Sequence, residues 1–312
     1  MKRFKNILYV KEKTVAPSSS LARAASLAKD NQATLTLLEV IPPVPENQRM
    51  DLMAVASHDL QVMVAPYRNS LEVRTEVRMG AIFLEVIRSV LRNGHDLVIK
   101  VAENPGFLQR LFGSDDMHLL RECPCPLWLM KPAEKPRYSC ILAAVDFDPR
   151  YPRTLEAPLN RQILTLAGSV ALYNKASLHL VHAWEAFAEK SLRASSDISS
   201  KSIIDHVQNE QIIHQKGFCR LGEALREWIG SEAYNSLSPL FHLPKGSARE
   251  RIVALAEELQ ADLVVMGTVA RTGIAGFIIG NTAESILNHL GCAVLAVKPP
   301  KFKSPVKLAR KS

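Results

Sequence analysis

Two stretches of the 312-residue chain hold residues that could do chemistry together. Asp146-Phe-Asp148-Pro follows the apolar run Ile141–Val145. Gly267-Thr-Val-Ala270-Arg271-Thr-Gly273-Ile-Ala-Gly276-Phe-Ile-Ile-Gly280-Asn281-Thr282-Ala-Glu284 follows a second run, Leu263–Met266. Glycine lets backbone amides approach a phosphate closely and permits positive φ. Gly280-Asn281-Thr282 reads as a helix start, with Asn281 able to cap, and amides at a helix N-terminus favour an anion. Together these features could cradle a polyphosphate, with Asp146 holding a ribose, an adenine edge or a metal. Arg271 is the one base in the loop, placed either to meet a phosphate or to sit in solvent. A plainer account stands beside this one. Glycines before a helix also serve tight packing, and Asp148-Pro is a common turn.

Other chemistries find less support. There is no Gly-x-Ser-x-Gly elbow and no Gly-x4-Gly-Lys-Ser/Thr phosphate loop. His179 and His182 lie three apart on an expected strand, on opposite faces, so a shared metal would need His242 or another partner. His206 and His214 are eight apart on an expected long helix from Ser202 to about Tyr234, and read as a solvated face. Five cysteines, Cys123, Cys125, Cys140, Cys219 and Cys292, are odd in number and thinly spread, as suits reduced thiols. Cys123-Pro-Cys125-Pro lacks CxxC spacing, so neither a redox nor a zinc role is expected for it.

These residues need elements to position them, and the chain supplies the elements twice. Gly80-Ala-Ile-Phe-Leu-Glu precedes His95-Asp-Leu-Val-Ile-Lys100, and 166 residues later Gly246-Ser-Ala-Arg-Glu-Arg precedes Ala261-Asp-Leu-Val-Val-Met266. After a one-residue gap Gly113 falls on Gly280, Leu120 on Leu287, Cys125 on Cys292 and Lys131-Pro132 on Lys298-Pro299. This shared order of anchors reads as duplication of one α/β unit. Short apolar runs predict strands at 7–10, 34–40, 71–78, 97–101 and 127–130, and at 140–145, 177–183, 238–242, 263–266 and 293–297. Helical patterns at 21–31, 81–93 and 249–259 alternate with them. Nearly all-apolar strands alternating with helices predict two doubly wound, five-stranded parallel sheets, Rossmann-like, packed as an internal pseudo-dimer. Ligands of such sheets bind beyond the carboxyl ends of the strands, where Asp146 and Gly267 fall. The expected domains are 1–132, 138–300 and a basic tail, 301–312. Met50–Ala65 reads as core, and the Ser-rich stretch 189–202 as a mobile loop or connector.

Composition narrows the function classes. Apolar residues make up 47% and charged residues 22%, which excludes disorder. Of 39 Lys plus Arg and 31 Asp plus Glu, eight bases and no acid lie in residues 1–5 and 301–312. Residues 6–300 therefore carry no net charge, so the formal +8 belongs to the ends and no basic face for nucleic acid is expected. No stretch approaches the roughly 20 apolar residues of a membrane span, and the four-residue run Ile7–Val10 is too short for a secretory signal.

With the motifs assembled, the chain resembles the universal stress protein family. That family's nucleotide loop reads Gly-x2-Gly-x9-Gly-Ser/Thr after the fourth strand. Asp146 after the first strand, Asp262-Leu-Val-Val-Met-Gly267 at the fourth and Cys292-Ala-Val-Leu-Ala-Val-Lys-Pro299 at the last are similar to it. The resemblance covers the whole chain as a tandem pair. It implies a cytoplasmic stress-response role and ATP binding in only some members. The implied nucleotide residues are Asp146, Gly267, Ala270, Arg271, Gly280, Asn281 and Thr282, with Mg²⁺ accompanying ATP. Two positions depart from the pattern: Ala270 replaces the second glycine and Asn281 the Ser/Thr. Alanine is strained wherever positive φ is required. In the first copy Lys11 follows the first strand, and Asp115 and Asp116 follow Gly113-Ser114, where they repel phosphate. No ATP is expected there. The expectation is a ligand-binding and signalling module, not a dedicated enzyme. Its alternatives are slow ATP hydrolysis by the second copy, or a hydrophobic or lipid-like ligand with nucleotide binding lost. The expected partners are a small molecule and, in further dimerisation, a second chain.

Overall fold

The computed structural model describes residues 4–12, 18–102, 114–132, 135–194, 199–268 and 279–308. In the first half β1 (Asn6–Val10), α1 (Ser18–Asn31), β2 (Thr34–Ile41), α2 (Glu46–Val64), β3 (Val73–Met79), α3 (Ile82–Asn93), β4 (Leu97–Val101), α4 (Asp115–Glu122) and β5 (Leu127–Met130) follow one another. The second half contains β6 (Cys140–Ala144), α5 (Pro158–Asn174), β7 (Ser177–Val181), α6 (Glu189–Ala194), α7 (Ser200–Ile229) and α8 (Ser231–Leu237). It continues with β8 (Leu240–His242), α9 (Ala248–Glu258), β9 (Leu263–Gly267), α10 (Asn281–Leu287) and β10 (Ala293–Val297). The chain forms two compact units, Met1–Arg137 with Thr268–Ser312, and Tyr138–Gly267.

In the first unit the strand order is β3-β2-β1-β4-β5-β10. The pairs from β3 to β5 are parallel, and β10 runs antiparallel to β5, with Leu295 opposite Trp128. In the second unit the order is β9-β6-β7-β8, all parallel. Strands buried on both faces explain the near-continuous apolar runs, from Leu97-Val-Ile99 to Leu263-Val-Val265.

The repeated aspartate has a structural use. Asp96 accepts from Lys5 N at 2.7 Å and Asn6 N at 3.1 Å, and its own N–H donates to Asn6 O at 2.9 Å. Asp262 repeats the arrangement, accepting from Ser139 N at 2.6 Å and Cys140 N at 3.1 Å while its N–H donates to Cys140 O at 2.9 Å. Each ties the head of a fourth strand to the head of a first strand. The match sets Asn6 on Cys140, and therefore Glu12 on Asp146. The sequence reading placed Lys11 there, one residue early. Gly80 and Gly246 likewise recur for a backbone reason: their φ values are 154° and 132°, and a Cβ on Gly246 would lie 2.6 Å from Arg251 Nε.

Elsewhere the structure revises the sequence reading. Only Ala56, Leu60 and Val64 of α2 are buried, while Met50, Val55 and Val62 are exposed, so the helix offers a narrow stripe to the core. The Ser-rich stretch is mostly helical, as α6 and the start of α7; residues 195–198 lie outside the described residues. The long helix breaks at Gly230 (φ 88°, ψ 149°) into α7 and α8. The tail is not wholly solvated, because Phe302, Ser304, Pro305 and Val306 are half-buried and the Lys298 ammonium lies 4.8 Å from the Phe302 ring centroid.

Gly246→Ala should destabilise the second unit by about 1–3 kcal/mol through backbone strain and the Arg251 contact. Gly291→Ala, where a Cβ meets nothing within 4 Å, should stay within about 0.5 kcal/mol of wild type. Urea unfolding followed by circular dichroism measures both.

Candidate functional site at the carboxyl ends of the strands

In the second unit β6 lies between β7 and β9, with Ala144 opposite Val181 and Met266. The chain leaves β6 through Val145, whose N–H donates to Val181 O at 3.0 Å, so Asp146 and Gly267 emerge at neighbouring strand ends. Asp146 is exposed and its backbone is pinned. Asn160, 3% exposed on α5, donates Nδ2 to Asp146 O at 2.9 Å and to Thr154 O at 3.1 Å, and its Oδ1 accepts from Asp146 N at 3.4 Å. With Leu155 O at 3.3 Å as a fourth backbone partner, this buried amide holds the loop in one conformation. Asp148 serves the turn: its Oδ1 accepts from Arg150 N at 3.0 Å and its N–H donates to Thr154 Oγ1 at 2.9 Å. At Gly267 a Cβ would lie 2.8 Å from Leu159 Cδ2, so a side chain there would have to displace Leu159.

The remaining expected residues fall elsewhere. Gly280, Asn281 and Thr282 belong to the first unit. The N-cap of α10 is Gly280 rather than Asn281, which is the first helical residue; Gly280 is extended and makes no side-chain cap. Ala270 and Arg271 lie outside the described residues.

In the first unit the equivalent strand ends are closed by charge. Lys100 on β4 is wholly buried, with Nζ 2.5 Å from Glu12 Oε1 and 2.8 Å from Asp116 Oδ1. Burial pushes the lysine down, but Asp116 and Glu12 outweigh it and hold its pKa above the ordinary lysine value, so the ammonium stays charged. Burial pushes Glu12 up against the opposing pull of Lys100. The acid after the first strand is thus retained in both copies, exposed as Asp146 in one and bound to a lysine as Glu12 in the other. Asp115 turns aside, accepting from Phe83 N at 3.2 Å, and Ser114 caps α4 by accepting from Met117 N at 3.3 Å.

The histidines form two pairs in the second unit. His179 Nδ1 lies 2.9 Å from His242 Nε2, and His182 Nε2 lies 3.0 Å from His214 Nδ1. His179 and His182 thus take different partners, as their spacing predicts. His214 is buried rather than solvated, whereas His206 is half-buried and bonds Phe187 O. Among the described residues no group of three or more His, Cys, Asp or Glu could hold a metal. Sequence reasoning missed Asn160 and the stacking of Phe147 on His182, whose centroids are 3.8 Å apart. Gly217, mid-helix in α7, was the available signal: a Cβ there would lie 2.8 Å from Phe147 Cε2.

The comparisons agree with this geometry of two α/β halves. The family model described as the universal stress protein family matches residues 3–131 and 138–298. The chain belongs to the universal stress protein family. It is 34% identical over 229 residues to universal stress protein E of Escherichia coli strain K12, covering 72% of this chain and 68% of that one. It is 25% identical over 320 residues to a universal stress protein E homolog of Haemophilus influenzae, covering 96% and 99%. A solved universal stress protein structure from Pseudomonas aeruginosa UCBPP-PA14 is similar at 27% identity and a TM-score of 0.66, covering 96% and 95%. Among the described residues no helix is long and apolar enough to cross a membrane.

Lys100→Met should destabilise the first unit by about 3–5 kcal/mol, because it leaves Glu12 and Asp116 buried without their cation. Adding Glu12→Gln and Asp116→Asn should recover much of the loss. Denaturant unfolding of the three proteins checks the order.

Proposed function

We propose that this family member is a cytoplasmic small-molecule-binding module of the stress response, that its second family domain binds ATP, and that its first binds none. The observation that carries the reading is the unequal fate of one acid. Glu12 is consumed by buried Lys100, whereas Asp146 stands exposed on a backbone fixed by Asn160. An exposed carboxylate on a fixed backbone can accept hydrogen bonds from sugar hydroxyls. The phosphate contacts are assigned by the loop sequence: Gly267, Ala270, Arg271, Gly280, Asn281 and Thr282. Backbone N–H groups and the Arg271 guanidinium are chemically suited to phosphate oxygens. Mg²⁺ would arrive with the nucleotide, since no cluster of protein ligands among the described residues calls for a metal of its own. No general base accompanies Asp146 in the described loop, which favours binding over hydrolysis.

Equilibrium dialysis with labelled ATP and Mg²⁺ tests this. Asp146→Ala should weaken binding about tenfold or more, the loss of a charge-assisted hydrogen bond. Ala270→Gly should tighten it, and phosphate release should stay at background. No binding at millimolar ATP by either the wild type or Ala270→Gly would overturn the reading.

A further inference from the structure

A buried polar chain in the second unit joins α7 to the loop that carries Asp146. His182 is 2% exposed, with Nδ1 3.4 Å from Val145 O and Nε2 3.0 Å from His214 Nδ1. A carbonyl only accepts, so the network assigns a proton to His182 Nδ1, and His182 Nε2 then accepts from His214 Nδ1–H. Neutral His214 then carries its lone pair on Nε2. One turn earlier on α7, Glu210 is 5% exposed; its Oε1 holds Arg150 Nη2 at 2.5 Å, and its Oε2 is buried with no hydrogen-bond partner. Such an oxygen is costly, and a new donor within reach would be taken up.

We propose that Glu210 and His214 form a proton-operated latch on the 146–155 loop. When His214 gains a solvent proton at Nε2, it becomes a cation one turn from the unpartnered Glu210 oxygen and competes with Arg150 for that carboxylate. The two competitors are not equally mobile. The His214 imidazole is fixed by its bond to His182 and lies among Phe147 and Trp184. The Arg150 side chain is 43% exposed and reaches water on release. Arg150 is therefore the group that leaves, and the tie between the loop and α7 goes with it. Phe147, stacked on His182 and seated against Gly217, is then the loop's remaining anchor on α7.

The groups facing His214 set the working range. Burial holds it below the ordinary histidine value of 6.5; Glu210 opposes that, Arg150 reinforces it and Asp148 opposes it. Its hydrogen-bonded neighbour His182 is neutral in this network, and Phe218 packs edge-on against His182. A depressed histidine takes its proton below pH 6.5, so the latch is closed at neutral pH and opens on acidification.

Amide hydrogen exchange on the full chain, corrected for intrinsic rates, tests this at pH 7.5 and 5.5. Residues 147–155 should lose about five- to tenfold protection at the lower pH, while β6 and β7 keep theirs. Arg150→Met should show the unprotected loop at both pH values, and His214→Gln should remove the response. His242→Gln, in the other histidine pair, should leave it intact. Equal loop protection in the wild type at both pH values would overturn the proposal. So would a uniform loss across the second unit, or a response that persists in His214→Gln.

Discussion

Both halves depend on one hydrogen-bonding device, an aspartate at the head of the fourth strand that binds the head of the first. Parallel pairing by itself allows a strand to slip, and a one-residue slip would turn every side chain to the other face. Asp96 and Asp262 prevent this by engaging two consecutive backbone N–H groups and returning their own N–H to a carbonyl. With the heads locked, the carboxyl ends are locked too. Glu12 and Asp146 therefore emerge at the same place in their respective sheets, six residues beyond Asn6 and Cys140.

What happens at that place differs because of a single neighbour. Lys100 in the first half corresponds to Met266 in the second. A lysine wholly buried in a central strand must be paired, and Glu12 and Asp116 pair it. Among the described residues one ammonium meets two carboxylates, and that surplus of acid opposes a phosphate. Methionine makes no such demand, and the acid of the second half is exposed. The same fold thus closes one strand end with its own side chains and keeps the other exposed.

The second half also carries a feature with no counterpart among the described elements of the first. The 30-residue α7 covers the loop after β6, with a glycine notch for Phe147, a carboxylate for Arg150 and an imidazole for His182. Polar groups buried under a long helix are either fully satisfied or poised to change partners. Glu210, with one oxygen unpartnered, belongs to the second kind. The loop that presents Asp146 is held by Asn160 on one side and by α7 on the other, and the α7 side contains His214, whose burial holds it below the ordinary histidine value.

The sequence by itself determined the class of fold, the duplication and the strand cores. Each rests on local periodicity and on anchors that must recur: glycines at positive φ and aspartates at strand heads. It also marked Asp146, since an acid directly after a buried strand has few packing roles. It did not reveal that Glu12, rather than Lys11, is the equivalent acid, because a one-residue offset is visible only through the hydrogen bonds of Asp96 and Asp262. Nor did it show that His214 is buried, that α2 is largely exposed, or that β10 runs antiparallel to β5. Those were decided by tertiary structure, where distant segments compete for the same space. Burial, not residue type, makes Lys100 a lock and Glu210 an open acceptor.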